Sequence, residues 1–463
     1  MNTKAGKKSL VWEKNDIRRE VIRAFKECAQ DRDNTNLIRL EIPVKEIDPL
    51  LWLYYQPFIR TYWSSRDQNF EMAGAGQADL IFGQTPLGYK EIFRRMDLLR
   101  VNSNRNFRYY GGFRFNQHAR VGGEWNAFGM FRFILPRFEI IKMNNNHFFV
   151  CNAVSKSAKQ NKSLLEEIIG DFEKISFDLE TRDNKQNSCR ERNYVPDKNS
   201  WLKSAKAVLD VLHGKCADKI VLARKADFTF TEPLQPLDVL CRLKSVNPKS
   251  YHFCFQAENG ASFIGGTPER LYARKGLEIK SEALAATRTR GESPLKDQQL
   301  KDELLTTDKD RKEHYLVYKN ILEALKPLCE HVNGHNQATV LQLPRIQHLY
   351  SRIAGKLKPA QSDGDILGAL HPTPAVGGCP REVALEKISQ LEPFDRGWFA
   401  GPVGWTGRES ADFAVAIRSG LIRKNMLSLY CGAGVVIGSS PQAEWEEIEN
   451  KLSNLMHIFN CWK

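Results

Sequence analysis

Strand-like segments rich in aromatic and β-branched residues recur at hairpin-length spacing through the first half of the chain. Three of them follow one another as YYGGFRF, WNAFGMFRFILPRFEIIKM and HFFVCNAV, and each is typical of a β-strand. Segments with a helical spacing of apolar residues lie between such groups. This alternation of strand groups with helices predicts an α+β protein whose sheets are mostly antiparallel.

Helices are predicted where apolar residues return every three or four positions. They comprise a charged leading helix within residues 1–35 that is expected to fray, followed by Tyr89–Leu99, Lys159–Ile175, Trp201–Leu212, Glu303–Val332 and Arg381–Leu391. Residues 179–199 are polar and charged with almost nothing to bury, so they predict a boundary or an exposed loop.

The composition fits a soluble globular protein, with 42% hydrophobic and 27% charged residues. No run approaches the roughly 18 apolar residues that a membrane-spanning helix needs. The basic beginning of the chain is interrupted by acids such as Glu13 and Glu20, and no apolar signal region follows. We therefore expect no secretory signal, no membrane association and a cytoplasmic location.

The net charge of +13 raises the question of nucleic-acid binding. The basic residues are spread over the whole chain, however, and no basic module with interleaved aromatic residues is present, so no nucleic-acid partner is expected. A preference for small anionic substrates explains the charge equally well. The ten cysteines lie without regular spacing, which is typical of reduced thiols in a cytosolic protein.

The stretch from Tyr430 to Leu452 combines a short apolar strand, a glycine-containing segment and an amphipathic helix. Glu444, Glu447 and Lys451 stand at positions i, i+3 and i+7, so they share one face of that helix. Two carboxylates and a lysine arranged in this way can hold a metal ion and an anionic ligand together. The spacing alone favours a solvated face, with a Glu447–Lys451 pair worth roughly 0.2–0.5 kcal/mol.

Four other polar features could carry chemistry, and each also has an ordinary structural explanation. Lys219 begins the apolar strand KIVLAR, where burial would lower its pKa and make it a base, although most strand-end lysines are solvated. Glu269 follows a Gly-Gly-Thr-Pro turn that can aim an acid into a cleft or lie at the surface. Glu313 lies among charged residues, which favours a solvated helix face. Residues 371–378 contain two prolines and two glycines and predict a rigid loop, a common setting for substrate contacts.

The order of these features along the chain resembles that of a known family. The motifs are KIVLAR, FIGGTPERL, SEALAATRTRG, DRKEH, RIQHL, HPTPAVGG, EPFDRGWFAGPVGW, AIRSG, CGAG and SSPQAEWEEIENKL. They are similar to those of the chorismate-utilising enzymes, and within that family they most resemble isochorismate synthase. The resemblance implies two large packed antiparallel sheets with helices outside. Residues 1–195 would contribute strands to the same fold, and residues 196–463 would form the chorismate-binding catalytic region.

The resemblance implies a reversible conversion of chorismate to isochorismate. Water attacks ring carbon 2, the 4-hydroxyl leaves, and the double bonds shift between these positions. Lys219 would take a proton from the water, and Glu269 would give one to the departing hydroxyl. Both groups must then be in their less usual protonation states near neutral pH, which requires a lowered pKa for the lysine and a raised pKa for the glutamate.

Chorismate is a dianion, so the resemblance also implies groups that balance its charge. The carboxylates of Glu313 and Glu447 would bind Mg²⁺, with Glu444 beside them. The other substrate contacts implied by the family are Thr287, His348, Ala375, Phe399, Arg418, Gly432, Ala433, Gly434 and Lys451.

Two positions bear on the choice among relatives of different activity, and a third, Ala286, bears only on the geometry of the pocket. Ammonia-using members usually carry a glutamine-like residue where this chain has Lys219 and rely on a glutaminase partner, so the lysine predicts water as the nucleophile and no glutaminase subunit. Salicylate synthases usually have threonine where this chain has Ala375, so the alanine favours isochorismate as the end product. Ala286 replaces the glycine of many relatives and would slightly narrow the pocket.

The leading hypothesis is a monomeric, Mg²⁺-dependent isochorismate synthase that feeds menaquinone, siderophore or salicylate synthesis. One alternative is a salicylate synthase, which also expels pyruvate. The other is a non-catalytic basic binding protein that has kept the fold.

Overall fold

The structure is a computed structural model, and it describes residues 14–30, 37–101, 106–119, 121–155, 161–179, 187–335, 337–343 and 346–456. Its helices are α1 (Lys14–Gln30), α2 (Pro49–Tyr54), α3 (Tyr89–Val101), α4 (Asn161–Glu173), α5 (Lys198–His213), α6 (Pro236–Val246), α7 (Pro294–Thr306), α8 (Asp308–Leu325), α9 (Asp363–Leu370), α10 (Arg381–Leu391) and α11 (Pro441–Met456).

The strands in the same ranges are β1 (Leu37–Val44), β2 (Arg60–Ser64), β3 (Phe70–Ala75), β4 (Asp79–Gly83), β5 (Arg108–Phe113), β6 (Phe131–Leu135), β7 (Phe138–Met143), β8 (Asn146–Val154), β9 (Cys189–Val195), β10 (Lys219–Phe230), β11 (Tyr251–Gln256), β12 (Ser262–Thr267), β13 (Arg270–Lys275), β14 (Glu278–Thr289), β15 (Cys329–Gly334), β16 (Thr339–Gln342), β17 (Ile346–Leu357), β18 (Gly378–Cys379), β19 (Pro402–Gly407), β20 (Ser410–Val415), β21 (Ser419–Arg423) and β22 (Met426–Val436).

These strands form two large antiparallel sheets. The larger sheet has twelve strands in the order β1-β8-β7-β3-β2-β11-β12-β21-β22-β10-β18, with β9 paired to β10. The smaller sheet has ten strands in the order β15-β17-β14-β13-β20-β19-β5-β6-β4, with β16 paired to β17. The predicted α+β fold with two large antiparallel sheets is confirmed. Among the described helices, none is both long and apolar enough to cross a membrane.

The two sheets pack face to face through aromatic side chains. The ring centroids of Phe70 on β3 and Trp405 on β19 lie 5.5 Å apart. Between the same two sheets, the Tyr251 hydroxyl of β11 donates a 3.2 Å hydrogen bond to Asp412 of β20. Complete burial of a side chain such as that of Phe70 stabilises a fold by roughly 1.5–3 kcal/mol. This aromatic layer therefore fixes the relative position of the sheets that carry the candidate site.

Strands from the two halves of the sequence are neighbours in both sheets. β2 pairs with β11 in the larger sheet, and β5 pairs with β19 in the smaller one. β9, which ends at Val195, pairs with β10 across the predicted boundary. The division at residues 195 and 196 itself stays a prediction.

The prediction of one long helix, Glu303–Val332, is wrong: this part of the chain forms two helices, α7 and α8, and neither predicted end is correct. Thr307 has an extended backbone (φ −66°, ψ 121°), which separates α7 from α8. The second of these helices ends at Leu325, because Pro327 has no N–H with which to continue the helical hydrogen bonds. Residues 326–328 form a short 3₁₀ turn, and Val332 lies in β15.

Two strand predictions also need correction. The segment WNAFGMFRFILPRFEIIKM contains two strands, because Pro136 cannot donate to a sheet and the chain crosses there from the smaller sheet (β6) to the larger one (β7). Residues 179–199 are not simply a loop, since Cys189–Val195 forms the mostly exposed strand β9 and α5 begins at Lys198. Strand β9 forms because it pairs with β10, and its own polar sequence does not predict a strand. The leading helix is present as α1, and the fraying predicted at its ends lies outside the described residues.

Candidate active site

A cavity of about 420 Å³ opens between the ends of β10, β14 and β22 on one side and helices α8 and α11 on the other. Of the predicted site residues, the structure brings thirteen into its walls: Lys219, Glu269, Thr287, Glu313, His348, Ala375, Phe399, Arg418, Gly432, Gly434, Glu444, Glu447 and Lys451. Ala433 is the exception. It is buried, and strand alternation turns its side chain to the opposite face of β22 from its two glycine neighbours.

Lys219 is buried rather than solvated, with 1% of its surface exposed. Its Nζ donates to Glu313 Oε1 of α8 at 2.7 Å. Gly434 of β22 provides the space, because a Cβ at that position would lie 2.6 Å from Lys219 Cε. The glycine-containing segment thus accommodates the lysine side chain inside the cavity wall.

Glu269 lies in the turn between β12 and β13 and is 6% exposed. Burial raises the pKa of its carboxyl to about 8, because the charged form loses hydration. The charge of Glu282 also raises this pKa, whereas those of Lys219, Arg418 and Lys451 lower it. The raised pKa leaves this carboxyl largely protonated at neutral pH.

His348 of β17 links Thr287 to Arg418. Arg418 Nη2 lies 3.1 Å from His348 Nε2, and because a guanidinium can only donate, this nitrogen must be the unprotonated acceptor. His348 Nδ1 then carries the proton and lies 3.0 Å from Thr287 Oγ1. Burial, assisted by the Arg418 charge, lowers the pKa of His348 to about 3, so the ring is neutral.

The three carboxylates predicted to bind metal each contact a lysine. Glu313 accepts from Lys219, and Glu447 lies 2.6 Å from Lys451 on α11. Glu444 is almost fully buried and accepts from Lys309 of α8 (2.8 Å) and from the Ser439 hydroxyl (2.7 Å). Among the described residues, no three acidic, histidine or cysteine side chains converge to hold a metal ion.

The three carboxylates are nevertheless close enough together to affect the same lysine, Lys309. The pKa of Lys309 is raised above its ordinary value: burial lowers it, but the hydrogen bond to Glu444 and the charges of Glu444, Glu313 and Glu447 outweigh that effect. The pKa of Glu447 is lowered, because Lys451 outweighs the opposing effect of burial. The cavity wall between α8 and α11 is therefore a cluster of alternating acids and lysines.

Residues 23–460 match the family model of chorismate binding enzymes. The chain belongs to the chorismate-binding enzyme family. It is 34% identical to isochorismate synthase 2, chloroplastic, of Arabidopsis thaliana over 91% of this chain and 80% of that protein. It is 29% identical to isochorismate synthase MenF of Bacillus subtilis, covering 95% of this chain and 97% of the relative.

The solved structures agree with these sequence matches. The structure of MenF, the menaquinone-specific isochorismate synthase from Escherichia coli, superposes with a TM-score of 0.83 at 26% identity and covers 95% of this chain and 99% of that one. The predicted family and its fold are both confirmed.

In this chorismate-binding enzyme, the backbone of β22 leaves polar groups at the cavity. The N–H groups of Val221 and Ala223 on β10 point away from β22, to Gly377 O and Glu392 Oε1. Their partners Gly434 and Gly432 therefore form the non-hydrogen-bonded pairs of this ladder. Gly432 O accepts from Lys451 Nζ at 3.0 Å, so this edge faces the lysine.

Sequence reasoning missed several wall residues of the enzyme. Arg396 donates to the carbonyls of Val376 (3.0 Å) and Val221 (2.8 Å), so it ties the 371–378 loop to β10. Arg396 lies in the family motif EPFDRGWFAGPVGW, so that motif could have indicated this residue. The Lys309–Glu444 bridge gave no sequence signal, since its partners are 135 residues apart.

Proposed function

We propose that this protein is an isochorismate synthase that interconverts chorismate and isochorismate. The observation that carries the proposal is a buried acid with a raised pKa, Glu269, in one cavity with a buried lysine, Lys219. Relatives that match nearly the whole chain bear the name isochorismate synthase, which supports the same reaction.

The two groups would divide the proton transfers between them. Lys219, in the neutral form that a base requires, accepts a proton from water as the water oxygen bonds to ring carbon 2. Glu269 donates its proton to the 4-hydroxyl as the bond to ring carbon 4 breaks, so a second water leaves and the double bonds shift. Each positioned proton transfer contributes roughly 10²–10⁴-fold to the rate.

Other wall residues would hold the substrate dianion. Arg418 and Lys451 carry positive charge at the cavity, and the edge of β22 at Gly432 and Gly434 offers backbone groups nearby. Neutral His348, held by Thr287 and Arg418, keeps the guanidinium in place. Ala375 and Phe399 supply apolar surface beside the ring.

The donor set also fits Mg²⁺, which takes hard oxygen ligands and is usually bound through one or two carboxylates with waters and ligand oxygens. We propose that Glu313 and Glu447 hold the ion, with Glu444 beside them. Each of these carboxylates contacts a lysine in this structure, so a carboxylate that binds the ion must give up that contact. The bound ion would supply the positive charge that balances a substrate carboxylate.

The decisive experiment is incubation of the purified protein with chorismate and Mg²⁺, followed by separation of the products. We expect isochorismate in equilibrium with chorismate. Salicylate and pyruvate without an added lyase would instead identify a salicylate synthase, and no turnover would favour the non-catalytic alternative. The menaquinone-specific relative from Escherichia coli supports menaquinone synthesis among the predicted uses of the product. The cytoplasmic location and the monomeric state stay predictions.

A further inference from the structure

The position of the Glu269 carboxyl depends on the turn that carries it, because no described side chain hydrogen-bonds to it. Glu269 N–H lies 3.2 Å from Thr267 Oγ1, and Glu269 O accepts from Val415 N–H at 3.0 Å. The preceding Pro268 has no N–H, but its carbonyl accepts from Arg66 Nη1 at 2.7 Å. A side chain from the N-terminal half thus holds the turn of the proposed general acid.

Arg66 is itself fixed on several sides. Its guanidinium donates to both carboxylate oxygens of Glu282, at 2.9 and 2.7 Å. The two side chains are only 12% and 2% exposed, and the guanidinium lies 5.8 Å from the centroid of the Tyr251 ring. Arg270 Nη1 also donates to Glu282 at 3.1 Å. A planar guanidinium suits this position, because a lysine ammonium lacks the fork that matches a carboxylate.

We propose that Arg66 is a positioning residue for the general acid. Its guanidinium hydrogen-bonds to the Pro268 carbonyl and to the Glu282 carboxylate at the same time, and so fixes the turn that directs Glu269 into the cavity. The inference rests on the proposed role of Glu269. It gives a role in the active site to a residue outside 196–463, the predicted catalytic region.

The charges around Glu269 show what loosening this turn would do. Burial is the main cause of its raised pKa, and Glu282 adds to it, while Lys219, Arg418 and Lys451 act against it. A turn released from Arg66 would let water reach the carboxyl and weaken the effect of burial. The pKa of Glu269 would then move down toward that of an ordinary glutamate.

The test compares Arg66→Met with a matched control, Arg274→Met, in the full-length protein. Arg274 forms an equally buried two-bond pair with Asp363 (2.7 and 2.9 Å; side chains 11% and 2% exposed), but it contacts neither Glu269 nor its turn. Both variants lose one buried ion pair, so both should lose stability. The readouts are kcat and KM for chorismate, and the titration of Glu269 by ¹³C NMR of glutamate-labelled protein, assigned with Glu269→Gln.

In Arg66→Met we expect kcat to fall about 10–100-fold, as for a misplaced catalytic group, while KM changes less than about twofold. The titration midpoint of Glu269 should move down by about one pH unit or more. Arg274→Met should change neither quantity. Arg66→Met with kcat and midpoint unchanged, or an equal change in Arg274→Met, overturns the proposal.

If Arg66→Met does not fold, Arg66→Lys, which keeps the charge, is judged by the same criteria with a smaller expected change in the same direction. The NMR readout also separates the two proposals. If the wild-type protein does not convert chorismate but the midpoint moves only in the Arg66 variant, the proposed function fails and the positioning of the carboxyl by Arg66 stands.

Discussion

Three residues in the cavity wall have left-handed backbone conformations that favour glycine, although none is a glycine. They are Ala286 (φ 57°), Ala400 (φ 61°) and Arg418 (φ 51°). Each such conformation costs on the order of 1–2 kcal/mol. Ala286 and Arg418 flank His348: Ala286 O lies 3.3 Å from its Nδ1, and the Arg418 guanidinium contacts its Nε2. Two of these strained residues thus hold the neutral imidazole in place.

Substitution of Ala286 by glycine should relieve this strain. The residue is the bulge between Ala285 and Thr287, where the register of β14 against β17 shifts. We expect Ala286→Gly to raise the free energy of unfolding by about 1 kcal/mol in urea denaturation, because glycine adopts φ near 57° without a steric penalty. Ala285→Gly is the control and should lower it, since Ala285 is buried and has no left-handed backbone to relieve. A less stable Ala286→Gly protein would contradict the argument.

The raised pKa of Glu269 predicts the alkaline limit of activity. The acid works only when protonated, and its pKa is about 8, so kcat/KM should fall as pH rises through about 8. Glu269→Gln should reduce kcat by roughly 10²–10⁴-fold, because an amide cannot supply the proton. A pH–rate profile of the wild-type protein tests the first expectation. Measurement of kcat for Glu269→Gln tests the second, and circular dichroism checks that the variant is folded. A variant with near-normal kcat would remove Glu269 from this role.

At the scale of elements, sequence patterns predicted the presence of helices better than the residues at which the helices begin and end. Helix Arg381–Leu391 has the predicted bounds, and the predicted helix from Tyr89 is present as α3. The break at Thr307 was missed, because a single residue with an extended backbone separates two helices that otherwise follow one another directly. Strand β9 was missed for another reason: its order comes from pairing with β10 and not from its own sequence.

The site residues show the same division between local and long-range information. Family motifs indicated thirteen residues of the cavity wall, because these motifs lie on strands, on helix faces and in loops that meet the cavity. Spacing alone placed Glu444, Glu447 and Lys451 on one helix face but favoured solvent around it. Of the three, only Glu444 is buried. It contacts Lys309 of α8, and Lys451 contacts Gly432 of β22, two elements that the helical spacing cannot reveal. Arg66 could not be predicted, since its partner Glu282 is 216 residues away.

Helix α11 offers a direct test of the proposed metal site. Glu447 lines the cavity, whereas the preceding residue, Glu446, is exposed and accepts a hydrogen bond from Gln442 on the same helix. Glu447→Gln should weaken Mg²⁺ binding by at least about 10–100-fold, the loss typical even for groups that merely support a ligand. Calorimetric titration of Mg²⁺ into each protein without substrate measures this. Glu446→Gln is the control and should bind as the wild type does; an unchanged affinity in Glu447→Gln would exclude it as a ligand.

At the scale of the whole molecule, the two halves of the sequence complete each other's sheets. Trp63 of β2 lies between Tyr251 and Phe253 of β11, with ring centroids 5.4 and 6.5 Å apart. Arg66 continues this contact to the turn of Glu269. The division between residues 1–195 and 196–463 therefore describes the sequence motifs, and the packing crosses it at the active site.

This arrangement predicts that residues 196–463 do not fold alone. Without residues 1–195, β11 loses its partner β2 and β19 loses β5, so both sheets gain open edges beside uncovered aromatic surface. We expect the fragment to be insoluble or to unfold without a cooperative transition in thermal circular dichroism. Co-expression of the two fragments is the control, and it should restore soluble protein and chorismate turnover if the interface is intact. A fragment 196–463 that melts cooperatively by itself would show that it is an independent domain, and Arg66 would then have to act across an interface between domains.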